Sequence, residues 1–276
     1  MNCNLQYTEI DGVKCYSPEV ANSYADYPDG GFDLTDKSGE SSFWVRSRNR
    51  LFKRIVLARL ATSGNTRLLE IGCGTGSFIQ QIAENENLEI TGSEIYLKGL
   101  LYAKKNLPHV NFIQFDITHG TFGEEFDLIV AFDVIEHIEN DVAAISNISK
   151  MLHKGGSLIL TVPQHMFLWS RLDEIVKHKR RYSRRELITK LKRNGFDIEY
   201  VTSFLFVLFP LMLISRIFDK GRAPSQSDDR ELEKRVKFSN ALNWFFDLFM
   251  RIDEALIRLG ISLPFGGTLV VVARKR

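Results

Sequence analysis

The feature that most constrains the fold of this chain is a turn with three glycines that follows a short apolar segment. Residues 67–71 are mostly apolar, as expected for a parallel strand covered on both faces. Gly72, Gly74 and Gly76 then allow a tight turn and a close approach to a ligand, because no side chain intervenes. Residues 79–83 are expected to continue as a helix. Together these elements predict a nucleotide-type pocket at the carboxyl end of a parallel sheet.

The turn differs from the usual dinucleotide-binding fingerprint. That fingerprint is G-x-G-x-x-G, and its third glycine would fall at Ser77. This chain instead has G-x-G-x-G, preceded by the acid Glu70. Taken alone, three glycines are also consistent with a tight strand-to-helix turn that binds nothing.

Residues 70–76 read Glu-Ile-Gly-Cys-Gly-Thr-Gly and resemble the first motif of the class I S-adenosylmethionine-dependent methyltransferases. The resemblance extends over roughly residues 46–200. It implies a Rossmann-like fold, S-adenosyl-L-methionine as the cofactor and S-adenosyl-L-homocysteine as the product. It also implies that the chain is an enzyme.

Apolar segments and helical patterns alternate regularly after the glycine turn, which favours a parallel sheet with crossover helices. We expect an α/β fold, Rossmann-like and doubly wound, with a seven-stranded, mostly parallel sheet and a helical insertion before the last strand. The predicted strands are residues 67–71, 88–92, 110–115, 126–132, 157–162, 196–202 and, at the sheet edge, 269–273. The predicted helices outside the insertion are residues 43–61, 79–83, 96–106, 141–152 and 183–193.

Four regions follow from this pattern. Residues 1–42 form an N-terminal arm or lid, or else a disordered tail, and residues 43–203 form the cofactor-binding core. Residues 204–267 are the helical insertion, and residues 268–276 supply the final edge strand.

The insertion is unusually apolar. Residues 204–214 are apolar all round, and a second helical stretch at about 229–259 is rich in aromatic residues, with a polar linker at 221–229 between them. Three interpretations stay open. The insertion covers the substrate side of the pocket, it contacts a partner protein, or it lies in a membrane interface through residues 204–218 and 238–250.

Composition excludes several classes of protein. A formal net charge of +2 gives no bulk electrostatic reason to expect nucleic acid as a partner. Three cysteines without metal-ligand spacing suggest a reducing compartment and predict no zinc site. The polar N-terminus predicts that there is no signal peptide. Because the sequence contains no apolar run of about 18 residues, we expect no membrane-spanning helix. We expect a cytoplasmic protein, with peripheral contact at the inner face of a membrane as an option.

Besides Gly72, Gly74 and Gly76, five residues are candidates for holding the cofactor. Glu94, at the end of the second strand, is placed to bind the ribose hydroxyls, although the same position would serve NAD. The resemblance implies that Asp116 accepts a hydrogen bond from the adenine amine, with Ile117 beside the ring. Glu70 would face the methionine part, and Asp133 would border the sulfonium.

Three residues are candidates for catalysis. His165 follows the fifth strand, and Tyr182 lies in a segment rich in polar and aromatic groups. Residues 134–138, Val-Ile-Glu-His-Ile, resemble the ubiquinone- and menaquinone-biosynthesis branch of the family, which implies that Glu136 and His137 lie at the pocket rim. A general base is needed only if the nucleophile keeps a proton. Two further candidates are Asp173 and His178.

A basic cluster near Tyr182 would suit an anionic acceptor, or it is a solvated helix start. Its members are Lys177, Lys179, Arg180, Arg181, Arg184 and Arg185.

The first functional hypothesis is transfer of a methyl group to an oxygen, nitrogen or carbon nucleophile of a small or lipid-like acceptor. The alternative is an NAD(P)-dependent oxidoreductase, although Ser77 and the absence of a Tyr-x-x-x-Lys pair argue against it. A further alternative is a non-catalytic cofactor-binding protein that is attached to a membrane or a partner through its C-terminal helices.

Overall fold

The computed structural model describes residues 6–23, 31–33, 42–60, 64–123, 125–219 and 238–276. These residues form a nine-stranded sheet with helices on both faces. The strands are β1 Thr8–Ile10, β2 Val13–Cys15, β3 Thr66–Ile71, β4 Leu88–Glu94, β5 Asn111–Gln114, β6 Phe126–Phe132, β7 Leu152–Pro163, β8 Phe196–Phe204 and β9 Thr268–Lys275. The α-helices are α1 Phe43–Leu57, α2 Leu97–Asn106, α3 Asp141–Met151, α4 Arg171–Ile175, α5 Arg184–Arg193, α6 Phe209–Asp219 and α7 Asn240–Arg258.

The strand order is β1-β2-β5-β4-β3-β6-β7-β9-β8. Neighbouring strands from β2 to β7 are parallel, whereas β1 is antiparallel to β2 and β9 is antiparallel to both β7 and β8. The predicted Rossmann-like, doubly wound and mostly parallel sheet is confirmed. The predicted strand count of seven is wrong, because two short strands near the N-terminus extend the sheet.

The two additional strands form a hairpin. Asp11 and Gly12 connect them with φ angles of 51° and 73°, the left-handed values that a tight two-residue hairpin turn requires. β2 then pairs in parallel with β5. Part of the predicted arm is therefore an integral part of the sheet, whereas residues 1–5, 24–30 and 34–41 of that arm lie outside the described residues.

The last strand is not at the edge that the sequence predicts. Leu160 of β7 and Val201 of β8 both pair with Val271, so β9 lies between those two strands. Its burial explains this position, because residues 268–273 are all buried, as in a strand covered on both faces. β8 occupies the edge, and its first half alternates between more and less exposed residues.

Helices cover both faces of the sheet. On one face, α1, α2 and α7 contribute to a single apolar cluster, in which Phe52 stacks on Phe132 with ring centroids 4.1 Å apart. On the other face, α3 and α5 contribute Ile145 and Leu187 to a second cluster. Burying one such large apolar side chain contributes about 1.5–3 kcal/mol. The two clusters hold the sheet and fix the positions of its strand ends.

Several helix boundaries differ from the prediction. The glycine turn leads into a one-turn 3-10 helix, Ile79–Gln81, where the sequence predicted a helix over residues 79–83. The second helix of the insertion begins at Asn240, and residues 220–237, including the predicted linker, lie outside the described residues. Ser183 caps α5 as the sequence predicts, because its hydroxyl accepts a hydrogen bond from the Glu186 N–H at 3.2 Å.

Across the ranges described, none of the helices is at once long enough and apolar enough to cross a membrane.

Candidate active site

The candidate site lies where the parallel strands end. The carboxyl ends of parallel strands meet at one edge of a sheet, so the residues after β3 to β7 are brought together there. Two of them, Asp133 and His165, have positive φ angles of 56° and 64°. Left-handed backbone is uncommon for residues other than glycine and is concentrated at functional sites. The strain therefore supports a functional edge at this end of the sheet.

The three glycines of the turn have different roles. All have positive φ angles, 70° at Gly72, 54° at Gly74 and 79° at Gly76. A Cβ on Gly72 would lie 2.5 Å from a methyl carbon of Val134, and a Cβ on Gly76 would lie 3.2 Å from that of Ala103. At Gly74 the nearest atom, on the Phe32 ring, is 3.9 Å away. Packing therefore requires Gly72 and Gly76 to be small, whereas Gly74 borders open space that a ligand can enter.

Glu94 connects the end of β4 to the glycine turn. One carboxylate oxygen accepts from the Gly74 N–H at 3.1 Å, and the other accepts from the Ile95 N–H at 2.8 Å. Burial raises the pKa of Glu94, and the backbone N–H donors of Gly74, Tyr96 and Ile95 oppose that shift. These contacts place the predicted ribose-binding acid beside the turn.

Glu70 and Asp133 add two more acidic side chains at the same edge. Glu70 is buried, and burial raises its pKa to about 8, while Arg48 lowers the pKa and Glu94 raises it further. Asp133 pairs with Arg48 at 3.0 Å and accepts from the Thr161 hydroxyl at 3.0 Å. Because Arg48 is the cation that acts on both of these acids, a cationic ligand bound beside them would favour their ionised forms.

Asp116 and Ile117 lie just after β5. One oxygen of Asp116 accepts from the Thr118 N–H at 2.8 Å, and the other lies 2.8 Å from Nδ1 of the exposed His119. Ile117 is buried in the apolar cluster that includes Phe122. The adenine-binding roles of Asp116 and Ile117 stay predictions.

The described part of the N-terminal arm lines one side of the candidate site. The Ser17 hydroxyl accepts from the Asp116 N–H at 3.3 Å, and the Leu97 N–H donates to the Ala21 carbonyl at 2.9 Å. Phe32 is buried against Tyr96, with ring centroids 6.3 Å apart. The described part of the arm therefore packs directly against the residues around the glycine turn.

His165 lies on the loop after β7, where that loop meets the insertion. Its ring stacks on Phe167 at 4.9 Å and lies 6.0 Å from the Phe209 ring of α6. Burial lowers the pKa of His165, and Arg181 lowers it further, so the imidazole is neutral near pH 7. A neutral, partly buried imidazole at this position can accept a proton.

Tyr182 does not fit the catalytic role that the sequence predicted. Its side chain is fully buried, and its hydroxyl donates to Asp141 at 2.6 Å. Burial raises the pKa of the phenol, and Asp141 raises it further. The backbone of Tyr182 contacts the loop after β7, because the Tyr182 carbonyl accepts from the His165 N–H at 3.0 Å.

A second group of titratable side chains, Glu136, His137 and His178, lies near the end of β6. Glu136 is fully buried, and neither of its carboxylate oxygens has a hydrogen-bond partner among the residues that the structure describes. Nε2 of His178 lies 3.8 Å from Glu136, and the rings of His137 and His178 are 4.7 Å apart. Burial raises the pKa of Glu136, and Asp133 adds to the shift. The sequence placed Glu136 and His137 at the rim but did not bring them together with His178, because contacts between distant loops leave no local spacing.

The basic cluster is largely paired within the chain. Arg181 pairs with Asp173 at 2.7 Å, and Arg180 lies 3.5 Å from Asp141. Lys179 lies 3.9 Å from Glu139. Because these cations already have carboxylate partners, they offer less charge to an anionic acceptor than the sequence suggested.

In this site, a glycine turn follows one parallel strand and is hydrogen-bonded to an acid at the end of the next strand. This arrangement is typical of the cofactor site of a Rossmann-like protein. The buried acids beside the turn suit a cationic cofactor. Comparison with known families is consistent with this class. The methyltransferase domain family matches residues 43–201, more than half of the 276 residues. The chain therefore belongs to the methyltransferase domain family, and the predicted class I resemblance is confirmed. S-adenosyl-L-methionine is the cofactor of this domain.

Three known proteins illustrate the similarity. A protein of Mycolicibacterium smegmatis named a probable S-adenosylmethionine-dependent methyltransferase is 26% identical over 170 residues, which cover 58% of this chain and 62% of that protein. A ubiquinone biosynthesis O-methyltransferase of Rickettsia conorii is 26% identical over 98 residues, 34% of each chain. The structure of Haemonchus contortus phosphoethanolamine N-methyltransferase 2 with S-adenosyl-L-methionine has a TM-score of 0.54 at 18% identity, over 88% of this chain and 59% of that one.

At 18% identity, the similarity to the Haemonchus contortus structure shows only that the two proteins share a fold. The chain spans about half the length of the curated relatives it matches. These matches do not favour the NAD(P)-dependent oxidoreductase that the sequence left open.

Replacing Gly74 should abolish cofactor binding. In Gly74→Leu the side chain would fill the open space beside the turn and strain the positive φ angle. Gly155→Leu is the matched control, because Gly155 has a φ of 79° and a Cβ there would have no atom within 4 Å. We expect calorimetry to detect S-adenosylmethionine binding to the parent and the control only. Undiminished binding to Gly74→Leu would contradict the assignment of the pocket.

Ionisation of Glu70 should control cofactor affinity near neutral pH. A bound cation favours the ionised carboxylate, so binding releases a proton at pH values below the raised pKa of about 8. The Kd for S-adenosylmethionine should therefore fall as the pH rises toward that value, by up to about tenfold per pH unit. Calorimetry across this range should give a much flatter dependence for Glu70→Gln. Equal slopes for both proteins would assign the titration to another group, such as Glu94.

Proposed function

We propose that this chain transfers the methyl group of S-adenosyl-L-methionine to an oxygen, nitrogen or carbon nucleophile of a lipid-like acceptor. The observation that carries the proposal is a series of aromatic contacts leading from His165 into the insertion. The Phe209 ring lies 6.0 Å from His165, the Phe265 ring lies 5.0 Å from Phe209, and the Phe206 ring lies 4.8 Å from Phe265. An apolar acceptor fits this surface better than an ion does.

The residues of the site have separate tasks in this proposal. Glu94 and the glycine turn hold the ribose and the methionine part, and Asp116 accepts from the adenine amine. When bound, the cofactor supplies an electrophilic methyl group on a positively charged sulfur. Glu70 and Asp133 face that positive charge, which stabilises it at the strand ends. The chain then mainly has to align the nucleophile with the methyl carbon.

His165 is the candidate general base. It is needed if the acceptor is a hydroxyl or another group that keeps its proton at neutral pH. Its neutral imidazole, next to the aromatic series, is placed to take that proton as the new bond to the methyl carbon forms. His137 stays a candidate at the rim, on the side of the site nearest Glu136.

The acceptor class can be tested with S-adenosylmethionine carrying a labelled methyl group. We expect label to enter a total cellular lipid extract rather than the matching water-soluble extract. His165→Gln should lower kcat by about 10²–10⁴-fold without changing the Kd for the cofactor. The exposed His109→Gln is the control and should behave like the parent. Label confined to the water-soluble extract would contradict a lipid-like acceptor, and normal turnover of His165→Gln would contradict the base.

The helix α7 buries polar as well as apolar residues and leaves several large apolar residues exposed. Its buried side carries polar groups, since Arg50 of α1 pairs with Asp247 at 2.8 Å and with Glu254 at 2.6 Å. Asp253, also buried, accepts from the Phe206 N–H at 2.7 Å. The exposed side of α7 carries large apolar residues, with Trp244 68% exposed. The others on this side are Leu242, Phe245, Leu248 and Ile252.

Charge on the exposed side of α7 has one sign. Its acidic residues are all buried, whereas Arg251 and Arg258 are exposed. Exposed apolar and aromatic groups flanked by arginines are typical of helices that lie in the interface of an anionic membrane. This supports peripheral membrane contact through α7, together with the exposed Leu211 and Ile214 of α6.

The residues expected to make this contact differ in part from those the sequence suggested. Membrane contact through residues 204–218 and 238–250 was one of three interpretations. Within the first range, Phe204 and Phe209 are buried and Phe206 packs against the core. The exposed apolar surface is instead concentrated on α7, and it extends beyond residue 250 to Ile252.

Vesicle binding tests the α7 surface. The parent protein should co-sediment with vesicles containing anionic phospholipid and less with neutral vesicles. Trp244→Glu combined with Leu248→Glu should release it, because two carboxylates would enter the apolar surface. Leu101→Glu, at an exposed apolar residue of α2, is the control and should still bind. Equal binding of the double variant and the parent, or no binding of the parent, would count against membrane contact and favour a partner protein.

A further inference from the structure

Three side chains after β6 and α4 point into one small volume. Glu136, His137 and His178 each offer one ligand atom, and these atoms all lie within 4.8 Å of one another. Nε2 of His178 and the nearer Glu136 oxygen are 3.8 Å apart. Ligands about 2.0–2.2 Å from a common ion lie roughly 3–4 Å apart, so only small side-chain adjustments separate this arrangement from coordination.

The burial of Glu136 is a second, independent observation. Its side chain is fully buried, and within the described ranges both carboxylate oxygens lack a hydrogen-bond partner. A carboxylate removed from water without a partner costs free energy, so such groups are normally paired or bound to a metal. An ion between Glu136 and the imidazoles would supply the missing partner.

The orientation of His178 is the third observation. Asp173 lies 2.9 Å from Nδ1 of His178, which leaves Nε2 facing Glu136. Asp173 is itself held by Arg181 at 2.7 Å and 3.1 Å. A histidine whose second nitrogen is fixed by a buried carboxylate is the usual arrangement around a metal-binding imidazole.

We infer that Glu136, His137 and His178 form a binding site for one divalent transition-metal ion of the Zn²⁺ type. Two imidazoles and one carboxylate suit such an ion, whereas Mg²⁺ prefers oxygen ligands alone. Three protein ligands leave a coordination position open, as in catalytic rather than structural sites. The sequence predicted no zinc site because His137 and His178 are distant in the chain and form no closely spaced pair.

The site would refine the choice of acceptor. Glu136 is three residues from Asp133, which borders the cofactor, so a bound ion would lie beside the reacting groups. A metal ion lowers the pKa of a hydroxyl that it contacts, which would favour an oxygen nucleophile. This consequence rests on the proposed methyl transfer, whereas metal binding itself does not.

Calorimetric titration of the full chain with ZnCl₂ and with MgCl₂ tests the site. The parent should bind one Zn²⁺, and Glu136→Gln and His178→Ala should each bind it at least about tenfold more weakly. His109→Ala, which removes an exposed histidine, should bind like the parent. Unchanged Zn²⁺ affinity in Glu136→Gln, no binding by the parent, or equal affinity for Mg²⁺ would overturn the inference.

Thermal unfolding without metal separates the site from a purely structural ion pair. Because Glu136 has no hydrogen-bond partner among the described residues, Glu136→Gln should keep or raise the Tm of the metal-free protein. Zn²⁺ should raise the Tm of the parent and not that of the variant. A lower Tm of metal-free Glu136→Gln would indicate a structural pair with His178 and overturn the metal site. Calorimetry with S-adenosylmethionine on the same preparations reports separately on the proposed function.

Discussion

The burial of acidic side chains at the ends of parallel strands is the constraint on which the rest of this site depends. Glu70, Glu94 and Glu136 are all buried, and the pKa of each is raised, chiefly by burial. Arg48 is the cation that pairs with Asp133 beside them. Folding concentrates these acids because parallel strands end at one edge, and a cationic ligand bound there favours their ionised form. The positively charged cofactor in its pocket and a metal ion in the inferred site would each bring positive charge to this edge of the sheet.

One helix of the insertion, α7, carries polar groups on its buried side as well as apolar ones. It is joined to α1 by ion pairs and hydrogen bonds, including the Phe43 N–H donating to Asn243 at 2.9 Å. Met250 and Ile257 pack into the core, whereas other large apolar residues of α7, such as Trp244, are exposed. The ion pairs with Arg50 hold the polar side of α7 against α1, and Trp244 and Leu248 of α7 are exposed. The aromatic contacts beside His165 involve Phe206, Phe209 and Phe265, which lie in the segments before and after α7.

Much of the central fold follows from local sequence. The glycine turn, the strand at Phe126–Phe132 and the placement of Glu94 beside Gly74 need only apolar runs, glycines and spacing. The N-terminal hairpin also has a local signal, because Asp11-Gly12 stands between alternating residues, and the prediction did not use it.

Other features depend on contacts between distant residues and have no local signal. The insertion of β9 between β7 and β8 is decided by which strands can be covered on both faces. The approach of His178 to Glu136 depends on how two loops pack. The polar neighbours of Tyr182 in the sequence favour a catalytic role, and they do not predict that its side chain is buried against Asp141.

The placement of β9 has a geometric consequence. The segment that joins α7 to β9 is bonded on both sides, since Gly267 accepts from the Gln164 N–H at 2.9 Å and donates to the Phe204 carbonyl at 2.9 Å. Gln164 is the residue before His165, so the end of the insertion and the candidate base share one hydrogen-bonded strip of backbone. These hydrogen bonds attach the end of the insertion to the backbone beside His165. With α7 on a membrane, as proposed, an acceptor embedded there would have to reach from the membrane surface to His165, so the length of the acceptor would govern its selection.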